Sequence, residues 1–126
     1  MKRFLAALMV SVLVLMACAA FAAPSGKVMV YSSMQEDQLV AVKKGFEAKY
    51  PGVVMDYYFA GTGKVITKIT TEHQAGQVAA DVIWVGDPSD YLAFKKAGIL
   101  EKYSSPEAAA IASKFIDPTA ITRARA

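Results

Sequence analysis

The sequence predicts an α/β fold with a parallel sheet, and two observations carry that prediction. Three short apolar runs, at residues 28–31, 53–59 and 82–85, have the length and composition of buried strands. Each run ends in small, polar or glycine residues and passes into apolar residues at helical spacing. Strands that alternate with helices form parallel sheets through right-handed crossovers. The predicted fold class is therefore α/β, with three parallel strands and crossover helices.

The first helix is predicted between the first two runs. Ser33 and Glu36 have the spacing of a capping box, so we expect the helix to begin at Ser33. Residues 51–52, Pro-Gly, end it. Its apolar face consists of Leu39, Val42, Phe46 and Tyr50.

Two further helices have clear start and stop signals. Thr62 is the predicted N-cap of the second helix, and Gly76 is its C-terminal stop. Asp87 is the predicted N-cap of the third helix, with Pro88 at the first helical position. Gly98 ends that helix.

The last part of the chain is less regular. A fourth helix is predicted to start near residues 105–107, with Ile111 and Phe115 on its apolar face. Residues 119–126 follow a predicted turn and end abruptly. Three parallel strands leave two open sheet edges, so we expect the isolated chain to be marginally stable or prone to aggregation.

The N-terminus has the pattern of a secretory signal peptide. Lys2 and Arg3 precede an apolar stretch over residues 4–16, and an A-x-A cleavage site follows at residues 20–22. We therefore predict that residues 1–22 are a signal peptide. Its removal lowers the 14 basic residues to 12, against 11 acidic ones. This near-neutral balance does not indicate nucleic-acid binding.

Cys18, the single cysteine, lies within the predicted signal peptide. We favour its removal with that peptide, which leaves no disulfide in the exported chain and suits a bacterial periplasm. One alternative is a lipoprotein anchored through Cys18, because residues 15–18 resemble a lipobox. A second alternative is an uncleaved anchor over residues 4–23, which are nearly long enough to span a membrane.

The loops that follow the three strands are the predicted binding site. In parallel sheets ligands bind outside the carboxyl ends of the strands, and helix N-termini there bind anions. Hydroxyl groups add donors, glycines permit close backbone approach, and a carboxylate suits a cationic or hydroxylated group. Each residue type is also common in ordinary caps and turns. The predicted ligand-binding residues are Ser32, Ser33, Gly61, Thr62, Gly63 and Asp87.

Catalytic, metal and nucleotide motifs are not found in the sequence. Residues 61–64, Gly-Thr-Gly-Lys, lack the other glycine and the hydroxyl residue of a P-loop. His73, the only histidine, lies well along the second helix, and Gly-x-Ser-x-Gly does not occur. We predict no catalytic residue, no metal ligand and no cofactor. A secreted α/β enzyme is the alternative from another class.

The aromatic residues near the strand ends have structural interpretations. Tyr57 and Tyr58 are adjacent on a strand and face opposite ways, so they cannot both reach one metal ion. Trp84 is expected to pack the sheet against a helix. The alternative is that Trp84 lines a ligand cleft.

Four segments, at residues 27–33, 46–53, 80–84 and 92–100, together resemble a known family. They include Lys-Val-Met-Val-Tyr-Ser-Ser, Ala-Asp-Val-Ile-Trp and a later Ala-Gly-Ile-Leu. In this order they are similar to bacterial extracellular solute-binding proteins of family 1, the receptors of ABC importers. The ferric-iron, phosphonate and sugar-phosphate branch is the most similar.

The resemblance implies a partial N-terminal lobe of a type II periplasmic-binding-protein fold. Residues 23–118 would form the first part of this lobe, and residues 119–126 an aberrant or truncated tail. It further implies a monomer in the periplasm that captures a small polar or anionic solute and delivers it to an ABC permease in the inner membrane. The alternative is a non-functional truncated fragment of such a receptor.

The ferric branch of the family differs from this chain at two loops. It places a histidine in the first loop and a glutamate after the third strand. Here residues 32–35 are Ser-Ser-Met-Gln, and residues 86–88 are Gly-Asp-Pro. The adjacent tyrosine pair of the ferric branch belongs to the second lobe, so residues 57–58 are not that pair. We therefore expect an oxyanion solute rather than directly coordinated iron.

Overall fold

A computed structural model of the chain describes residues 24–103, 105–112 and 121–124. Strands and helices alternate through most of this region. The main elements are β1 (Gly26–Ser32), α1 (Glu36–Lys49), β2 (Val53–Phe59), α2 (Thr62–Gln74), β3 (Val82–Trp84) and α3 (Pro88–Lys96). They are followed by β4 (Leu100–Lys102), a 3-10 helix (Pro106–Ala110) and β5 (Ile121–Ala124). The predicted signal peptide, with Cys18, and Phe115 lie outside the described residues.

The main sheet has three parallel strands, with β1 between β2 and β3. This confirms the predicted α/β class with three parallel strands and crossover helices. Strands β4 and β5 form a separate antiparallel pair, which the sequence pattern did not predict. The prediction of a fourth α-helix is wrong, because Pro106–Ala110 form a short 3-10 helix and the chain is extended at Ile111.

The two faces of the sheet are covered by different helices. Side chains alternate between the faces of a strand, so neighbouring residues of β1 enter opposite cores. Helix α1 covers one face, where Val30, Leu39 and Met55 are buried. Helices α2 and α3 cover the other face with a larger cluster. Its buried members are Tyr31, Val65, Ile69, Val78, Ala80, Ile83, Val85, Phe94 and Ile99.

The helix boundaries correct two predicted caps. The prediction that Ser33 begins the first helix is wrong, because the Ser33 N–H donates to the Trp84 carbonyl (3.2 Å) and continues the ladder beyond β1. Helix α1 therefore begins later, after Gln35, whose side chain makes no capping bond. Thr62 is the first residue of α2 rather than its N-cap, which is Gly61.

The other predicted end signals are confirmed. The Asp87 side chain accepts a hydrogen bond from the Ser89 N–H at 2.8 Å and caps α3. Gly76 and Gly98 follow α2 and α3 with φ of 93° and 73°, a region that favours glycine. The Ile99 N–H closes the last turn of α3 onto the Phe94 carbonyl at 3.0 Å.

Side chains satisfy backbone groups on both outer strands of the main sheet. On β2, the Lys43 ammonium donates to the Met55 carbonyl, and the Glu47 carboxylate accepts from the Met55 N–H at 3.0 Å. At the β3 edge, the Tyr91 hydroxyl accepts from the N–H of Val85, the residue after the strand, at 3.0 Å and lies 3.2 Å from the Ile83 carbonyl. These contacts use backbone N–H and C=O groups with which a strand of another chain would otherwise pair.

Replacing Tyr91 by phenylalanine is expected to lower the free energy of unfolding by about 1 to 2 kcal/mol, because edge groups of β3 lose their partner. Urea denaturation followed by circular dichroism measures this change. Tyr57→Phe, on β2, is the matched control. Equal midpoints for the two variants would contradict a role for the Tyr91 hydroxyl at the edge.

Candidate functional site

The three strands of the main sheet end in one row. Ser32 of β1 pairs with Phe59 on one side and with Trp84 on the other. The loops after these strands therefore begin at the same carboxyl edge. Residues 33–35, 60–61 and 85–87 make the three connections to the helices. The parallel topology thus brings the predicted site residues to one edge.

Ser32 shapes the first loop rather than facing solvent. Its side chain is fully buried, its hydroxyl donates to the Trp84 carbonyl at 2.8 Å, and its oxygen accepts from the Met34 N–H at 3.0 Å. The Ser33 side chain is half-buried, and the Ser33 N–H is bonded to Trp84. Hydrogen bonds to Trp84 therefore hold the first loop against β3.

Negative charge lies at the start of two of the three helices. Glu36 and Asp37 stand in the first turn of α1, and Asp87 and Asp90 begin α3. Hydrogen bonds from the Ser89 N–H and hydroxyl hold the pKa of Asp87 below its usual value, so this carboxylate is charged at neutral pH. Carboxylates already complement the positive ends of these two helix dipoles, and they repel an anionic solute.

Helix α2 begins differently. Its first turn has no acidic residue and contains the exposed Lys64. The N–H groups of Thr62 and Gly63 have no partner within the helix, as helix geometry dictates for the first turn. Residues 58–64 line an open cavity of about 660 Å³ at this point. The loop between β2 and α2 is therefore the part of the edge best suited to an anion.

A polar cluster fixes α2 against the sheet beside this cavity. Glu72 accepts from the Tyr31 hydroxyl at 2.8 Å and from the Ala79 N–H at 3.0 Å, and it lies 2.7 Å from the Lys68 ammonium. The Lys68 ammonium lies 5.1 Å and 5.3 Å from the ring centroids of Tyr31 and Tyr58. Tyr58 also lines the cavity, so the cluster connects the packing of α2 to the cavity wall.

Charge stabilises this cluster. The hydrogen bond to Glu72, assisted by Tyr31, raises the pKa of Lys68. Burial raises the pKa of Glu72, but hydrogen bonds from Lys68, the Ala79 N–H and Tyr31 outweigh burial and lower it overall. Burial and the Glu72 contact raise the pKa of Tyr31. Sequence reasoning missed the cluster, although Lys68 and Glu72 have the spacing of a helical ion pair.

Two aromatic residues at the edge remain exposed. Phe59 and Trp84 are each 40% exposed. Trp84 is therefore only partly covered, and its packing of the sheet against a helix stays a prediction. Trp84 lies on the face that α1 covers, but α1 connects β1 with β2 and leaves the end of β3 open.

Within residues 24–103, 105–112 and 121–124, no three His, Cys, Asp or Glu side chains lie close enough together to hold a metal ion. In the same part of the chain, no helix is both long and apolar enough for a membrane span.

The family model for bacterial extracellular solute-binding proteins matches residues 31–120. The chain belongs to this family. A search of curated protein sequences finds no significant match.

Solved structures, one of them of a periplasmic binding protein, share the fold. Iron-bound HitA from Pseudomonas aeruginosa has a TM-score of 0.65 and 21% identity, over 77% of this chain and 30% of that chain. The Trichodesmium protein IdiA (FutA), with iron and citrate, has a TM-score of 0.64 and 26% identity, over 76% and 30%. The periplasmic binding protein P5PA has a TM-score of 0.63 and 29% identity, over 72% and 28%. The chain thus spans about 30% of the length of these structures and matches part of a periplasmic-binding-protein lobe.

Proposed function

We propose that this chain forms one wall of the cleft of a periplasmic receptor, which captures a small anionic solute and delivers it to an ABC permease in the inner membrane. Membership of the solute-binding family supports this proposal. Binding without catalysis is the role of that family, so we propose no enzymatic step. The periplasm is the proposed location, because the neighbouring structures include a periplasmic binding protein.

The structure at the start of α2 is the main support for an anionic solute. It combines unpaired N–H groups, an exposed Lys64 and an open cavity, with no acidic residue in the first turn. We propose that Gly61, Thr62 and Gly63 contact the solute. Ser32, Ser33 and Asp87 are proposed to hold the neighbouring loops around it, since Ser32 and Asp87 are engaged in internal hydrogen bonds.

The donor set suits an oxyanion better than a bare ferric ion. Ferric iron takes anionic oxygen and imidazole ligands, whereas the cavity lining offers backbone N–H groups, the hydroxyls of Tyr58 and Thr62 and the Lys64 ammonium, with no carboxylate or imidazole among residues 58–64. The Trichodesmium neighbour was solved with citrate as well as iron. A protein of this fold therefore binds an organic anion.

Calorimetric titration of the exported chain with inorganic phosphate, methylphosphonate, glycerol 3-phosphate and ferric chloride tests the proposal. We expect heat from one or more of the oxyanions. Lys64→Gln should weaken that binding about threefold, because an exposed charge contributes less than about 1 kcal/mol. Lys44→Gln, on the exposed side of α1, is the matched control. Heat from ferric chloride alone would contradict the proposal. No heat from any of these probes would favour the alternative of a non-functional fragment.

A further inference from the structure

Tyr31, Tyr58 and Tyr91 pack in the core cluster on the face of the sheet that α2 and α3 cover, but their hydroxyl groups are used differently. The Tyr31 hydroxyl donates to Glu72 at 2.8 Å, and the Tyr91 hydroxyl accepts from the Val85 N–H at 3.0 Å. The Tyr58 hydroxyl makes no hydrogen bond to any residue in the described part of the chain. Buried tyrosine hydroxyls usually have a partner, so the hydroxyl of this half-buried residue is available to a ligand.

The ring of Tyr58 is nevertheless held in place. Tyr58 pairs in register with Tyr31, and the centroids of the two rings lie 5.4 Å apart at an interplanar angle of 60°. The Lys68 ammonium lies 5.3 Å from the Tyr58 centroid and 2.7 Å from a Glu72 oxygen, so Lys68 is itself anchored. Tilted ring pairs and a cation over an aromatic face both stabilise such an arrangement. The cluster therefore orders a tyrosine whose polar group the fold does not use.

Tyr58 also lines the cavity at the start of α2. The unpaired N–H groups of Thr62 and Gly63 and the Lys64 ammonium belong to the helix side of this cavity, whereas Tyr58 belongs to β2 and to the sheet side. A tetrahedral oxyanion carries oxygens on all sides, so donors from the helix reach only some of them. A donor from the sheet side reaches the others.

We propose that Tyr58 is a specificity-determining residue of the receptor, which donates its hydroxyl to the anion from the sheet side of the cavity. This inference rests on the proposed function and adds a contact residue on β2 to it. The bound oxyanion then bridges the end of β2 and the start of α2. Because Tyr31 and Lys68 already hold the ring, little side-chain freedom is lost when the hydroxyl binds.

Calorimetric titration of the exported chain and of Tyr58→Phe with inorganic phosphate, methylphosphonate and glycerol 3-phosphate tests this contact. The substitution removes only the hydroxyl and keeps the ring beside Lys68. We expect the affinity for the oxyanions that bind to fall about tenfold, because a hydrogen bond to a charged group has this strength. Tyr57→Phe is the matched control, because Tyr57 pairs with Val30 on the α1 face and the cavity is lined by residues 58–64. Its affinities should equal those of the parent chain.

Near-ultraviolet absorbance gives a second measurement on the same contact. A phenol hydroxyl that donates to an anion changes the absorbance of its ring, whereas these three oxyanions do not absorb in this region. We expect a tyrosine difference spectrum when the oxyanion binds to the parent chain or to Tyr57→Phe, and its loss in Tyr58→Phe. Circular dichroism checks that both variants are folded. If Tyr58→Phe is unfolded, the difference spectrum of the parent chain decides.

The outcomes distinguish this inference from the proposed function. Equal oxyanion affinities of the parent chain and Tyr58→Phe would overturn the Tyr58 contact and leave the anion receptor standing. An equal loss in Tyr57→Phe, or binding to the parent chain without a tyrosine difference spectrum, would overturn the contact as well. No heat from any of the three oxyanions with the parent chain would overturn the proposed function and this inference with it.

Discussion

Replacement of Ile69 by alanine is expected to lower the free energy of unfolding by about 3 kcal/mol. The Ile69 side chain is fully buried between α2 and the sheet, in the same cluster as Tyr31 and Val65. Truncation removes buried methyl groups and leaves a cavity between α2 and the sheet, which relaxation of the surrounding side chains closes only partly. Small domains have total stabilities near 5 kcal/mol, so about 2 kcal/mol would remain and the unfolded fraction at 25 °C should rise from about 0.02% to about 3%.

Urea denaturation followed by circular dichroism measures this loss. Thr70→Ala is the matched control, because Thr70 is the next residue of α2 and is exposed. Its stability should change by less than about 0.5 kcal/mol. A loss at Ile69 as small as the change at Thr70 would show that α2 does not pack on the sheet through this face.

The sequence was informative where local rules decide the structure. The apolar runs of β1 and β2 are rich in valine and bounded by turn residues, so their positions were predicted to within two residues. The caps at Asp87 and Gly98 depend on their own neighbours in the chain, and both were predicted. The start of α1 was predicted too early, because a bond between Ser33 and Trp84 extends the strand, and no local rule contains that contact.

In the candidate site, too, local features were predictable from the sequence and tertiary contacts were not. Acidic residues stand at the starts of α1 and α3, whereas the first turn of α2 has none. This difference can be seen in the sequence once the helices are placed. The bond between Tyr31 and Glu72 joins residues 41 positions apart, and only the packing of α2 on β1 brings them together. The exposure of Trp84 likewise depends on which strands α1 covers, which is a property of the strand order.

Replacement of Glu72 by glutamine is expected to lower the free energy of unfolding by about 2 kcal/mol at pH 7. The amide cannot pair with the Lys68 charge. Its NH₂ group also faces either the Tyr31 hydroxyl or the Ala79 N–H, both of which donate to the carboxylate in the parent chain. The pKa of Glu72 is lower in the folded chain than its ordinary value. Its stabilising effect is therefore fully present above the unfolded pKa and is lost as the pH falls through the folded pKa.

The pH dependence separates charge from packing. The difference in stability between the parent chain and Glu72→Gln should be largest near pH 7 and should shrink below about pH 4, as the parent carboxylate gains its proton. Urea midpoints measured from pH 7 to pH 3 give this curve. Glu101→Gln, at an exposed position of β4, is the control and should give a small difference at every pH. A difference at Glu72 that stays constant over this range would mean that shape, rather than charge, holds α2 against Tyr31 beside the cavity.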